Sequence, residues 1–125
     1  NDTACDWAYE LEGSKDLGLV VEALDDVLKT GNDYLDADVA CVGLAACEVV
    51  ARLKGNWGQR NAYTETVDKW IEAHAELAEL APCSKAVAVL DRILGASSEL
   101  RELWEEEGPN DEWRSALAEL RTRLA

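Results

Sequence analysis

Apolar residues recur along most of this chain at the three- to four-residue spacing of an α-helix. The clearest case spans residues 16–29 and carries an apolar stripe at Leu17, Val20, Val21, Leu24, Val27 and Leu28. Similar spacing is found at residues 2–12, 65–81, 84–94 and 111–124, and Gly13, Gly31, Pro82 and Gly108 mark breaks between them. No run alternates with the period of two that a strand requires. The pattern predicts an all-α protein of six or seven short helices.

One predicted helix, at about residues 38–54, differs from the others. From Val39 to Ala51 it is apolar or small at every position except Glu48. A helix that is hydrophobic all round is expected to be buried all round, so we place this helix at the centre of the fold. Its side chains at Cys41, Leu44, Cys47 and Val50 are then expected in the core.

The chain of 125 residues has the length of one domain, so we expect residues 1–125 to share a core. An internal repeat is suggested by the stretches ALDDVLKTGNDYL (23–35) and VLDRILGASSEL (89–100), each preceded by a helix that carries a tryptophan. These stretches indicate either an old duplication of a helical unit or the ordinary likeness of two amphipathic helices.

Charge narrows the range of functions. The net charge is -14, which disfavours nucleic acid and anionic membrane surfaces as partners. Residues 1–50 hold 12 acids and 2 bases, so an acidic face built by the first half is expected. Such a face can steer a basic protein toward it. The alternatives are that the charge only maintains solubility or reflects a salt-adapted host.

Two short segments are candidate partner-binding sites. Asp33, Asp36 and Asp38 form an acidic turn before the central helix; they lack the spacing of a calcium loop, and a turn with a helix cap accounts for them equally well. The glycine-rich loop at 55–63 carries three residue types that are enriched at interface hot spots, at Trp57, Arg60 and Tyr63. A second acidic stretch lies between Trp104 and Trp113. Its acids are either solvated or part of a charged lobe that offers an aromatic anchor to a basic partner.

Candidates for catalysis are few. Glu48 lies within the apolar helix, where burial would raise its pKa, but Arg52 follows at the spacing of a helical ion pair. His74 is the only histidine and falls on an apolar stripe, which favours a packed role. The four cysteines lack zinc spacing, and we expect reduced thiols and a cytoplasmic location, with a Cys5–Cys41 disulfide as the alternative. We predict no catalytic residue, no metal site and no cofactor.

The opening NDTACDWAYEL resembles the start of a bacterial family known as domain of unknown function 4259, through Asn1, Asp2, Asp6 and Trp7. The stretches YLDADVACVGLAACEVVARLKG and SELRELWEE, with the later Trp113, are similar to that family's alanine-rich helix and closing section. Members carry a Trp-Gly-x-Gly-x-Phe segment ahead of this motif, so the resemblance implies that such a segment precedes Asn1 in the natural chain. The family supplies no established activity, and no catalytic residue is carried over.

The function that the sequence favours is therefore binding. We expect a small acidic protein-interaction or inhibitory protein, such as an immunity-type protein that neutralises a basic toxin. The alternatives are an enzyme with a site near Glu48 or His74, and a structural module of a larger assembly. The sequence leaves the oligomeric state open.

Overall fold

A computed structural model describes residues 2–125; Asn1, part of the N-terminal motif, lies outside the described residues. These residues form seven α-helices and one 3-10 helix: α1 Asp2–Glu12, α2 Gly18–Leu28, α3 Ala37–Leu53, α4 Glu65–Ala73, the 3-10 helix Ala75–Leu80, α5 Cys83–Leu94, α6 Glu99–Trp104 and α7 Asp111–Leu124. Within residues 2–125 the only β pairing is an isolated parallel bridge between Leu35 and Ser98. The prediction of an all-α fold with six or seven helices is confirmed.

Helix α3 is the centre of the fold, as its apolar sequence predicts. It contacts each of the six other α-helices, and all seven contribute to one hydrophobic core. Close approach explains the small residue at Gly43, because an added Cβ would lie 2.6 Å from a methyl group of Val27 on α2. The carboxylate of Asp36 caps the start of α3 by accepting hydrogen bonds from the backbone N–H groups of Asp38 and Val39.

The expectation that α3 is buried all round is only partly right. Cys47 and Val50 are fully buried, whereas Cys41 and Leu44 are half-buried. Helices α1 and α7 both pack against α3 but make little contact with each other, which leaves a strip of α3 uncovered between them. This strip forms the floor of a groove between α1 and α7.

The predicted helix at 65–81 is interrupted. At His74 the backbone leaves the helical region (φ -124°, ψ 32°), and the chain continues as the 3-10 helix up to Leu80. His74 Nδ1 lies 2.7 Å from the carbonyl oxygen of Trp70, and its ring stacks on the Trp70 indole with centroids 4.3 Å apart. The histidine thus has the packed, hydrogen-bonded role that its sequence position predicts, at the end of a helix.

The two halves of the chain contact each other through corresponding elements. Helix α1 packs on α4, α2 on α5 and α3 on α6, and the bridge between Leu35 and Ser98 joins the segments that follow α2 and α5. An internal repeat with two-fold symmetry would give this arrangement. Duplication stays one of the two interpretations of the two similar stretches, beside the ordinary likeness of two amphipathic helices.

Candidate functional site

The bridge between Leu35 and Ser98 brings two acidic segments together. The N–H of Leu35 donates to Ser97 O at 2.8 Å, and the N–H of Glu99 donates to Leu35 O at 3.0 Å. Side chains strengthen the junction, since the Tyr34 hydroxyl donates to Glu102 and the N–H of Ala37 donates to Glu99. We call residues 33–38 and 99–112 together the acidic pole.

Charge at the acidic pole is concentrated and mostly unneutralised. Residues 33–38 carry three acids, and residues 99–112 carry seven acids and one base, so the pole holds -9 of the net charge of -14. The predicted residues Asp33, Asp36 and Asp38 are all exposed. Three large apolar or aromatic side chains are also exposed in the pole, namely Tyr34 (53%), Leu103 (57%) and Trp104 (52%). The pole therefore combines negative charge with surface that a protein partner can bury.

Glu105 is an exception to the expectation that acids 105–107 are solvated. Its side chain is only 10% exposed and forms ion pairs with Arg114 at 2.5 Å and Arg101 at 3.3 Å. Its carboxylate also accepts the backbone N–H of Asn110. The hydrogen bond from Arg114, then those from Asn110 and Arg101, lower the pKa of Glu105 to about 2. Glu105 thus fixes the turn between α6 and α7, while Glu106 and Glu107 remain exposed.

The opposite end of α3 carries a group of paired charges, which we call the arginine cluster: Glu48, Arg52, Arg60, Asp68 and Arg123. Arg52 and Asp68 are both about 5% exposed and are joined at 2.7 Å. Arg52 also donates to Glu48 and to the carbonyl oxygen of Gln59, so all three of its nitrogens have an acceptor. Arg123 reaches from α7 to Glu48 at 2.6 Å and to Asn56 O.

The loop predicted as a second binding site is part of this cluster. Trp57 is half-buried, with the guanidinium carbons of Arg60 and Arg52 at 4.2 Å and 5.6 Å from its ring centroid. Arg60 is exposed but pairs with Glu72 and Asp68, and its role in partner binding stays a prediction. Tyr63 is almost fully exposed, at 97%. The two predicted sites are not adjacent, because α3 separates them by about 25 Å at 1.5 Å per residue.

Glu48, the one acid considered for catalysis, lies between two arginines, Arg52 and Arg123. Burial raises its pKa, but the hydrogen bonds and positive charges of Arg123 and Arg52 outweigh that effect and leave the pKa below its ordinary value. The predicted ion pair between Glu48 and Arg52 is confirmed at 3.1 Å. The arrangement stabilises a carboxylate, which is a poor proton donor at neutral pH.

A groove between α1 and α7 connects the two ends of α3. It consists of two adjoining cavities of about 550 and 410 Å³ that share the lining residues Ala4, Ala45, Glu48 and Ala116. Toward the acidic pole the lining is apolar, with Cys41, Leu44, Leu100, Trp104 and Trp113. Toward the arginine cluster it includes Tyr63, Arg52 and Arg123. The half-buried strip of α3 forms the floor.

The remaining candidate residues offer little for catalysis. No disulfide joins any two of the four cysteines. Burial raises the pKa of the Cys47 thiol to about 12, so it stays protonated. In the part of the chain that the structure describes, no group of three or more His, Cys, Asp and Glu side chains is placed to hold a metal ion.

No helix in residues 2–125 is both long and apolar enough to cross a bilayer.

Comparisons with known proteins identify the chain by its family. No curated protein and no solved structure matches it. The family described as Domain of unknown function (DUF4259) matches residues 1–116, which span α1 to α6 and the first turns of α7. The acidic pole and the floor of the groove lie within this span. The chain belongs to the DUF4259 family.

Proposed function

We propose that this protein binds a second protein with a basic surface, and that the acidic pole is the contact. Within that class, the role we favour is a cytoplasmic immunity-type inhibitor that neutralises a basic toxin. The observation that carries the proposal is the joining of residues 33–38 to 99–112 through Leu35 and Ser98, which gathers most of the net charge at one place.

Unpaired like charges that are held together repel each other, so the exposed acids of the pole destabilise the fold rather than support it. A basic partner removes that repulsion on binding, and the field of the pole accelerates its approach. The exposed side chains of Tyr34, Leu103 and Trp104 offer apolar area at the same place. Tyrosine and tryptophan are common among residues that contribute most to binding energy.

Catalysis at Glu48 or His74 has weaker support. Two arginines hold Glu48 as a carboxylate, and the His74 ring is committed to Trp70 through stacking and a hydrogen bond. A role as a structural module is compatible with the fold, but no particular observation favours it over binding.

The experiment compares two variants that each lose four negative charges. The pole variant replaces exposed acids of the acidic pole by their amides, at Asp33, Asp38, Glu106 and Glu107. Asp36 is left unchanged because its carboxylate caps α3. The control variant replaces exposed acids outside the pole by glutamine, at Glu10, Glu22, Glu76 and Glu79.

Partners are captured from the source organism with the parent protein, and binding kinetics are then measured at low and high salt. We expect the pole variant to associate about tenfold more slowly or worse, and the control variant to stay near the parent. Added salt should slow parent association far more than it changes dissociation. Equal association rates for the two variants, or a captured partner that is itself acidic, would contradict the proposal.

A further inference from the structure

We infer that the groove between α1 and α7 receives an amphipathic α-helix of the basic partner, with the Lys- or Arg-rich end of that helix at the acidic pole. The inference rests on the proposed function and adds the partner's secondary structure and orientation. It is drawn from the length of the groove, the residues that line it and the unequal charge of its two ends.

The length of the groove matches a helix of about three turns. On the floor it extends from Cys41 to Arg52 of α3, and on one wall from Trp113 to Arg123 of α7. At 1.5 Å per residue these spans are about 17 Å and 15 Å. A helix of 10 to 12 residues covers the same distance.

The lining suits the apolar face of a helix. Small side chains form both walls and part of the floor, at Ala4, Ala8, Ala45 and Ala116, so a partner backbone can approach closely. Leu44 and Cys41 on the floor are half-buried, and Trp104 and Trp113 stack at 6.3 Å at one end. Grooves of this kind recognise helices through apolar residues spaced three and four apart.

The charge at the two ends sets the orientation of the partner helix. At the end near Trp104, the acids of the pole are mostly exposed and unneutralised. At the other end, Arg52 and Arg123 already pair with Glu48, Asp68 and Glu119. Only the first end therefore attracts additional positive charge. A second copy of this chain is a poor occupant, because two molecules of net charge -14 repel each other.

The probe is a pair of synthetic peptides of 14 residues with leucines at helical spacing, one ending in three lysines and the other in three glutamates. The blocking variant is Ala116→Phe, which adds a ring to an exposed wall residue shared by both cavities. The matched control is Ala118→Phe, an exposed position two residues along α7 that lines neither cavity. Binding is followed by the anisotropy of a dye on the peptide.

We expect the lysine peptide to bind the parent and the Ala118→Phe variant alike, and to bind Ala116→Phe at least about tenfold more weakly. The glutamate peptide should bind the parent more weakly than the lysine peptide does. Equal binding to the two phenylalanine variants, equal binding of the two peptides, or no binding of either would overturn the inference. Sedimentation that shows a dimer dissociated by Ala116→Phe alone would also overturn it, because a second copy would then occupy the groove.

The captured natural partner separates this inference from the proposed function. If the groove inference and the proposed function both hold, the pole variant slows association. Ala116→Phe then accelerates dissociation, because the added ring prevents close contact between the partner helix and the groove. If the pole variant slows association but the two phenylalanine variants dissociate equally, the groove inference fails and the proposed function stands. If the pole variant has no effect on association, the proposed function itself fails.

Discussion

The two ends of α3 use charge in opposite ways. At the arginine cluster each charged group has a close partner, and Arg52 and Asp68 are nearly inaccessible to solvent. At the acidic pole seven acids face one base within residues 99–112, and most of those acids are exposed. The cluster ties α3, α4, α7 and the loop after α3 together, whereas the pole adds repulsion that the fold must tolerate.

This difference separates charges that maintain the structure from charges available to a partner. A buried ion pair is costly to disrupt, because removal of one member leaves the other charged and desolvated. Exposed unpaired acids cost little to remove and act over the Debye length. We therefore expect substitutions at the two ends to have opposite consequences, with stability affected at the cluster and association affected at the pole.

The largest expected effect is at Asp68. Replacement by alanine leaves the Arg52 guanidinium buried without its closest acidic partner and also removes the closer of two acceptors of the Thr64 hydroxyl. We expect Asp68→Ala to lower the free energy of unfolding by about 3–5 kcal/mol, measured by urea denaturation. The control is Glu72→Ala, which removes an exposed partner of Arg60 and should cost about 1 kcal/mol or less. Similar losses in the free energy of unfolding for the two variants would show that the buried pair of the cluster stabilises the fold no more than an exposed pair does.

The arginine cluster also illustrates what the sequence could and could not predict. The Glu48–Arg52 pair was predictable because both residues lie on one helix at a spacing of four. Asp68 and Arg123 were missed because they lie on other helices, and only tertiary packing brings Arg123 to Glu48 across 75 residues. The all-α fold and the central helix depended on local periodicity, which the sequence carries directly.

The groove could not be predicted from the sequence for a related reason. Cys41 and Leu44 were expected in the core because their helix is apolar on every side. Whether a neighbouring helix covers that side depends on where α1 and α7 pack, and the apolar pattern of α3 contains no such information. The acids of residues 33–38 and 99–112 were likewise recognised separately, and the bridge at Leu35 and Ser98 joined them.

An intermediate effect on stability is expected at Glu105. Like the acids of the arginine cluster, this acid of the pole forms ion pairs with two arginines, Arg101 and Arg114. Its pKa is lowered from 4.5 to about 2, chiefly by Arg114, so the folded state favours the carboxylate. This stabilisation is complete above pH 4.5 and is lost as the pH falls from 4.5 toward 2. Glu105→Gln should therefore be less stable than the parent at pH 7, and the difference should disappear near pH 2.

Thermal unfolding of the parent and Glu105→Gln across that pH range measures the effect. Glu106→Gln is the control, since Glu106 is the exposed neighbour in the same turn. Its stability should follow that of the parent throughout. A difference between Glu105→Gln and the parent that persists unchanged from pH 7 to pH 2 would show that the ion pairs of Glu105 are not its source.

The smallest effect on stability is expected from the pole variant, which loses Asp33, Asp38, Glu106 and Glu107. Neutralisation relieves repulsion among the remaining acids, but loss of the Asp38 charge weakens a favourable interaction with the N-terminus of α3. We expect these contributions to leave a net change of about 0.5 kcal/mol or less in the free energy of unfolding.

Relief of repulsion should show most clearly at about 0.01 M salt, where the Debye length is about 30 Å, and should fade at 1 M, where it is about 3 Å. Urea denaturation at the two salt concentrations measures the change in the free energy of unfolding. The control variant, which has the same net charge, is measured in parallel. A pole variant destabilised by several kcal/mol would mean that the acids of the pole support the fold as those of the arginine cluster do, and the contrast between the two ends of α3 would be lost.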